Sequence, residues 1–447
     1  MDTLPLPPRP DLEQYRKRAK ALVTAANSGD PDAVKQWADD WLRALTKLLG
    51  VEVTPFVQHS FERAVEGIQK EVATRVTRPK SEGAAFTLAD AQHLIAQAHS
   101  YNTWADLTRE IEGLRSDAGK SDFERAADAV VNGDMAGLNE LLEKDPGLVR
   151  EHSARKHHAT LLHYVAANGV EDFRQKTPPN AVAIAQRLIV AGAEVDALAD
   201  TYGGDTYQTT MNLLVSSTHP AEAGLQSKLV EVLLDHGAAI DGLARDSSPI
   251  LTALAFGYRD AADTLARRGA AINHVVVAAA VGRLDLVREW VTDANTLTTA
   301  HGPYIGPYWV HIPDDAKGQI EMALVWACKF GRADIAGFLL ERGVDPASKD
   351  RDDMTALHWA SARGLFDIME ILLVRKAPQE VRNTWGGTVL DSTAWFAVNA
   401  PMSGVDYPRV IERLLEAGAD PREVYPPRTG IETIDRVLEK YRASGRK

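Results

Sequence analysis

Cysteine is nearly missing from this chain: Cys328 is the single example in 447 residues. One thiol closes no disulfide within the chain, and such usage suits a reducing compartment. Long apolar runs are missing too. The longest, 275–281, is seven residues, against the roughly 20 that span a bilayer as a helix. No membrane insertion is expected. The first ten residues hold neither a basic stretch nor an apolar core, so no signal peptide is read there and a cytoplasmic location is expected. Positive charge is in deficit: 62 Asp and Glu against 50 Lys and Arg give a formal net charge of −12. Such a surface as a whole repels nucleic acid and anionic lipid, so neither is an expected partner. Common catalytic signatures are missing as well. No phosphate loop, His-Glu-x-x-His, paired-Cys motif or Gly-x-Ser-x-Gly occurs. The expectation is no catalytic residue, no cofactor, no metal, and no enzyme.

What is there is a repeated unit. The stretch 350–360, Asp-Arg-Asp-Asp-Met-Thr-Ala-Leu-His-Trp-Ala, leads through Gly364 to the pair Leu372-Leu373 and then Lys376. Thr355 is a good helix cap, because its hydroxyl accepts from a free first-turn N–H. Gly364 stops the helix, since glycine takes positive φ cheaply. A second helix, 366–374, places Ile368, Ile371 and Leu372 at helical spacing. Two helices this short cannot bury that surface alone and need neighbours. The neighbours are legible. Thr160-Leu-Leu-His-Tyr-Val precedes Gly169 as Thr355-Ala-Leu-His-Trp-Ala precedes Gly364. Gly331 and Gly364 stand 33 residues apart, Gly237 and Gly269 32. An apolar pair with Gly three residues on recurs at Leu188-Ile189, Leu233-Leu234, Leu339-Leu340 and Leu414-Leu415. In the seventh unit Lys376 takes the glycine's place.

A period of about 33 carrying Thr-x-Leu-His-x-Ala resembles the ankyrin-repeat family over 121–447. The resemblance implies an all-α solenoid of seven or eight helix-turn-helix repeats. It implies little about chemistry, because fold does not dictate function. The text 87–107, with its Ala-Gln-rich helix followed by Tyr101, Thr103-Trp104 and Leu107, resembles an N-terminal helical module of uncharacterised bacterial ankyrin-repeat proteins. Solenoids need atypical ends, so 1–120 is expected to be a helical cap or adaptor and 121–447 the repeat domain. Helices are expected from Asp11 to about 27, over 32–49 and 55–76, and as a pair at 87–100 and 103–113. Insertions interrupt the repeats at 173–180, 218–226, 297–317 and 400–407; a helix at 431–443 closes the chain.

Several residues invite a functional reading. His152, His157, His158 and His163 lie close in sequence, but their spacing fits no tetrahedral template. By the resemblance, His163 and His358 are structural, tying hairpin to inner helix. Asp350, Asp352 and Asp353 lack the Gly and Glu of a calcium loop. Ankyrin proteins bind partners through hairpin tips and inner helices on the concave face. Here those positions are Lys329, Phe330, Arg351, Asp352, Met354, Arg363 and Trp385. The expected function is therefore non-enzymatic binding of an unidentified protein, by a monomer. The alternative is a small-molecule or hydrolytic site built from the insertions of the second, third and fifth repeats. Its candidate residues are Arg174, Lys176, Tyr202, Asp205 and His219, gathered around a small anion.

Overall fold

A computed structural model of the chain describes residues 4, 6–7, 10–30, 32–49, 55–76, 86–115, 121–201, 207–244, 248–298 and 312–443. Among the described residues the fold is all-α, apart from short bridges and one small hairpin, Val291–Asp293 with Thr296–Leu297. The chain divides into two compact units, Met1–Ala239 and Ile240–Lys447.

The first unit opens with helices Leu12–Ala26, Ala33–Leu49, Pro55–Val76, Leu88–Ala98 and Trp104–Arg115. Their starts follow from the sequence. Asp11 caps the first by accepting from the Glu13 N–H, and Thr87 with Asp90 forms a capping box for the fourth. Apolar residues at helical spacing, Leu22, Trp41, Leu42, Ile68, Leu94, Ile95 and Leu107, fuse into one core. Each such side chain, fully buried, contributes about 1.5–3 kcal/mol.

Helix pairs follow: Asp122–Asn132 with Met135–Lys144, Leu161–Val165 with Ala181–Val190, and Thr210–Leu214 with Gln226–Asp235. In the second pair the Thr160 N–H donates to His163 Nδ1 at 3.1 Å. The ring is thereby fixed with its proton on Nε2, which donates to the Ala197 carbonyl at 3.0 Å. One buried imidazole thus ties a helix start to the next hairpin. In the third pair a short helix, Thr218–Glu222, fills the gap between the two helices. Gln226 Nε2 anchors that gap by donating to the Leu214 and Ser217 carbonyls.

The second unit contains Ser248–Ala255 with Arg259–Arg267, Val275–Val281 with Leu284–Trp290, and Ala316–Lys329 with Ala333–Glu341. Ala356–Ala362 with Phe366–Val374, and Val389–Asn399 with Tyr407–Glu416, complete the pairs before the closing helix Glu432–Ala443. Thr355 and His358 repeat the Thr160–His163 device: the Thr355 N–H donates to His358 Nδ1 at 3.1 Å. Lys376 does sit in the left-handed region, with φ 58°. The insertion at 400–407 is held down by Tyr407, whose hydroxyl donates to the Ala362 carbonyl at 3.1 Å. Much of the insertion at 297–317 lies outside the described residues.

Candidate functional site

The second unit carries a cluster of cations on aromatic rings where inner helices end. Lys329 is the last residue of Ala316–Lys329, and Phe330-Gly331 follow it. Arg363 stands at the same place after Ala356–Ala362. The Lys329 ammonium lies 4.4 Å from the Trp359 ring centre and 5.7 Å from that of Phe330. The Arg363 guanidinium lies 5.6 Å from Phe330 and 5.8 Å from Trp359. A cation above a ring face is drawn by the ring quadrupole, worth about 0.5–2 kcal/mol. Burial lowers the Lys329 ammonium to about 8, helped by the Arg363 charge and opposed by Asp350 and Asp352. Burial, then Arg259, lowers Arg363 to about 10. Two glycines make room. A Cβ on Gly257 would come within 3.1 Å of an Arg363 terminal nitrogen, and one on Gly331 within 3.2 Å of Arg259. Both glycines also have positive φ, 81° and 73°, so each serves its helix end as well.

The expected contact residues divide sharply. Trp385 is 74% exposed and Arg351 is exposed beside Asp352, 3.6 Å from its carboxylate. Lys329 and Arg363 are half-buried with their charged heads on the aromatic floor. Asp352 is half-buried and braces the hairpin through its carbonyl, which accepts from the Thr384 N–H at 3.0 Å. Phe330 and Met354 are different: they are 1% and 2% exposed and cannot touch a partner from those positions. Phe330 is the floor beneath the two cations, and Met354 packs under the hairpin, with Asn383 Nδ2 3.3 Å from its sulfur. Their expected place at a contact surface is corrected accordingly.

The anion pocket expected in the first unit is also corrected. Arg174 is 2% exposed, and its donors are spent on carboxylates. It meets Glu124 at 2.7 Å, Asp128 at 2.8 Å and Glu171 at 3.2 Å. Arg155 pairs with Glu124 at 2.9 Å and with Glu171, and donates to the His99 carbonyl at 3.2 Å. Burial alone would raise the Glu124 carboxyl, but the two guanidiniums overcome it and hold it near about 2. The network ties the opening helices to the first two repeats, and each of the three Arg174 nitrogens is committed within it. Lys176 and His219 are exposed, whereas Tyr202 and Asp205 lie outside the described residues. Nor do the four histidines gather. His163 is committed to Thr160 and Ala197, His158 Nε2 meets Asn102 at 2.9 Å, and His152 Nδ1 meets the His158 carbonyl at 2.6 Å. Cys328 is buried, and burial pushes its thiol up, away from the nucleophilic thiolate. A different feature of this unit is a polar cavity of about 720 Å³, lined by Arg75, His93, Lys156, Asp172, Asp200 and Thr201 among others. Its lining does not include Arg174, Lys176 or His219.

Residues 275–384 match the family model for ankyrin repeats, in three copies. This segment is an ankyrin-repeat array. It holds Lys329, Trp359 and Arg363, and it ends one residue before Trp385. The chain is 46% identical over 57 residues to a serine/threonine-protein kinase 12 of Arabidopsis thaliana, covering 12% of each chain. It is 37% identical over 73 residues to the putative ankyrin repeat protein L92 of Acanthamoeba polyphaga mimivirus, covering 16% of this chain and 18% of that one. It therefore spans less than a fifth of the length of these relatives. The crystal structure of the human ASB11 ankyrin repeat domain aligns with 66% of this chain and 98% of its own, at 20% identity and a TM-score of 0.32.

Within the ankyrin array, sequence reasoning missed three parts of the cluster: Trp359, Asp350 and, just ahead of the array, Arg259. Trp359 had a signal. It falls between the core residues Leu357 and Ala360, off their face, so a large ring there must meet the surface. Asp350 had none: its carboxylate accepts from Trp359 Nε1 at 2.8 Å across nine residues of chain.

Proposed function

We propose that the chain is a non-enzymatic recognition scaffold. Its ankyrin repeats bind a partner protein through the concave face of the sixth to eighth repeats, working as a monomer in the cytoplasm. Residues 1–120, akin to the helical module of bacterial ankyrin-repeat proteins, act as cap and adaptor; residues 121–447 form the repeat domain. The observation that carries the reading is the aromatic and cationic surface itself. Trp385 offers a large rigid ring at 74% exposure. Trp395 is exposed with its ring 5.4 Å from Phe396, which in turn lies 6.2 Å from Trp359. Tryptophan and arginine are enriched at binding hot spots, tryptophan because it buries much area for little entropy and arginine because its planar fork both stacks and donates. The test is capture from cells of the native host with the full chain and an Arg351→Ala, Arg363→Ala, Trp385→Ala variant. Each alanine should weaken binding by about 1–2 kcal/mol, so a protein held by the wild type is lost from the variant. Equal retention by both chains moves the site elsewhere.

A second reading rests on the polar cavity of the first unit, where Asp200 Oδ1 and Thr201 Oγ1 have no hydrogen-bond partner among the described residues. Buried polar atoms without partners favour a polar small molecule there. A compound that raises the melting temperature of the wild type but not of Asp200→Ala supports this reading. A panel of polar metabolites with no such effect removes it.

A further inference from the structure

Lys329 and Arg363 are a cation pair that the protein leaves unanswered. Neither side chain donates a hydrogen bond, and neither has a carboxylate within 4.0 Å, among the described residues. Some other arginines of the same unit are answered by a carboxylate. Arg413 forks onto both oxygens of Glu370, Arg332 pairs with Asp263, and Arg382 with Glu423. Asp350 sits near enough to bias Lys329 but points elsewhere: its oxygens accept from Trp359 Nε1 at 2.8 Å and from the Met354 and Asp352 N–H groups at 3.0 Å. Holding two like charges over the same two rings and half out of water costs free energy in every unliganded molecule. An anion between them removes that cost. The donors suit one anion type: a planar guanidinium fork and a mobile ammonium can take the two oxygens of one carboxylate. The wall is apolar, formed by Trp359 with Phe396 and the exposed Trp395 beside it. A carboxylate carried on a chain with apolar neighbours fits such a wall; a fully hydrated ion gains nothing from it.

We infer that Lys329 and Arg363 form a carboxylate-binding notch that takes an Asp or Glu side chain from an acidic segment of the partner protein. The inference rests on the protein-recognition reading and names the chemistry of what is recognised.

The test uses the full chain and two capped, fluorescently labelled peptides, hexaglutamate and hexaglutamine, with binding read by anisotropy. Hexaglutamate should bind at least about tenfold tighter than hexaglutamine, one tenfold step being about 1.4 kcal/mol. Lys329→Gln and Arg363→Gln should each lose about that factor, while Lys329→Arg retains binding; circular dichroism checks that each variant stays helical. Equal binding of the two peptides, or full affinity in both glutamine variants, overturns the notch. Inorganic phosphate is the third arm. If it displaces hexaglutamate at the peptide's own concentration, the site takes free anions and the carboxylate notch falls. A partner whose capture depends on Trp385 but not on Lys329 or Arg363 overturns the notch and leaves protein recognition standing.

Discussion

Three histidines are buried where a proton is expensive. Burial brings His99, His163 and His358 from 6.5 down to about 4, against the pull of the carbonyls they face. All three are neutral in the folded chain at pH 7. The unfolded chain takes up protons first as the pH falls, so each histidine's contribution is complete above about pH 6.5 and is lost on the way to about 4. Each costs up to about 1.4 kcal/mol per pH unit in that window. Denaturation midpoints should fall steadily between pH 6.5 and 4.5; a flat profile contradicts the buried neutral rings. His163 and His358 were legible in advance through the resemblance to ankyrin repeats, which implies a structural histidine at that place. His99 was not: it stands at the end of Leu88–Ala98, and only the fold brings the Leu4 carbonyl to its Nδ1 at 2.8 Å. Arg174 failed the sequence reading for a related reason. A charged residue in a polar insertion reads as exposed unless its carboxylates, 46 and 50 residues away in Asp128 and Glu124, are seen.

At the scale of elements, that insertion is a clamp between helices. The Glu124–Arg155–Glu171–Arg174 group balances two buried positive charges with two negative ones, and breaking it leaves a charge unpaired. Glu124→Gln should cost about 3–5 kcal/mol in a denaturant melt, while the same change combined with Arg174→Gln should cost less than the two single changes added. Additive losses would show that the four groups do not act together. A helix end supplies a second prediction. Lys376 holds φ 58° where Gly192, Gly237, Gly269, Gly343 and Gly418 end the outer helices of other repeats, and a side chain there costs roughly 1 kcal/mol. Lys376→Gly should raise the melting temperature slightly; a clear drop would mean the lysine stem packs usefully. The periodic helices were readable from apolar spacing and glycine stops. The small helix Thr218–Glu222 was not, since it fills a gap that reads in sequence only as the loss of a glycine junction.

At the scale of the molecule, charge is distributed against its own balance. A chain of net charge −12 keeps two cations on an aromatic floor with no carboxylate within 4.0 Å among the described residues, and exposed Trp395 continues that floor through Phe396. Single residues of this surface were readable because repeats fix which positions follow each inner helix. Their grouping was not, because Arg363 reaches Gly257 and Phe330 only through the stacking of helices distant in sequence. Among the described residues no helix is long and apolar enough to cross a membrane, and recognition is the proposed use of that surface. Amide hydrogen exchange of the full chain, alone and with its captured partner, tests this most directly. Protection at 326–332, 350–363 and 384–396 is the predicted result. Protection confined to the residues around the polar cavity of the first unit, with those three segments unchanged, would contradict it.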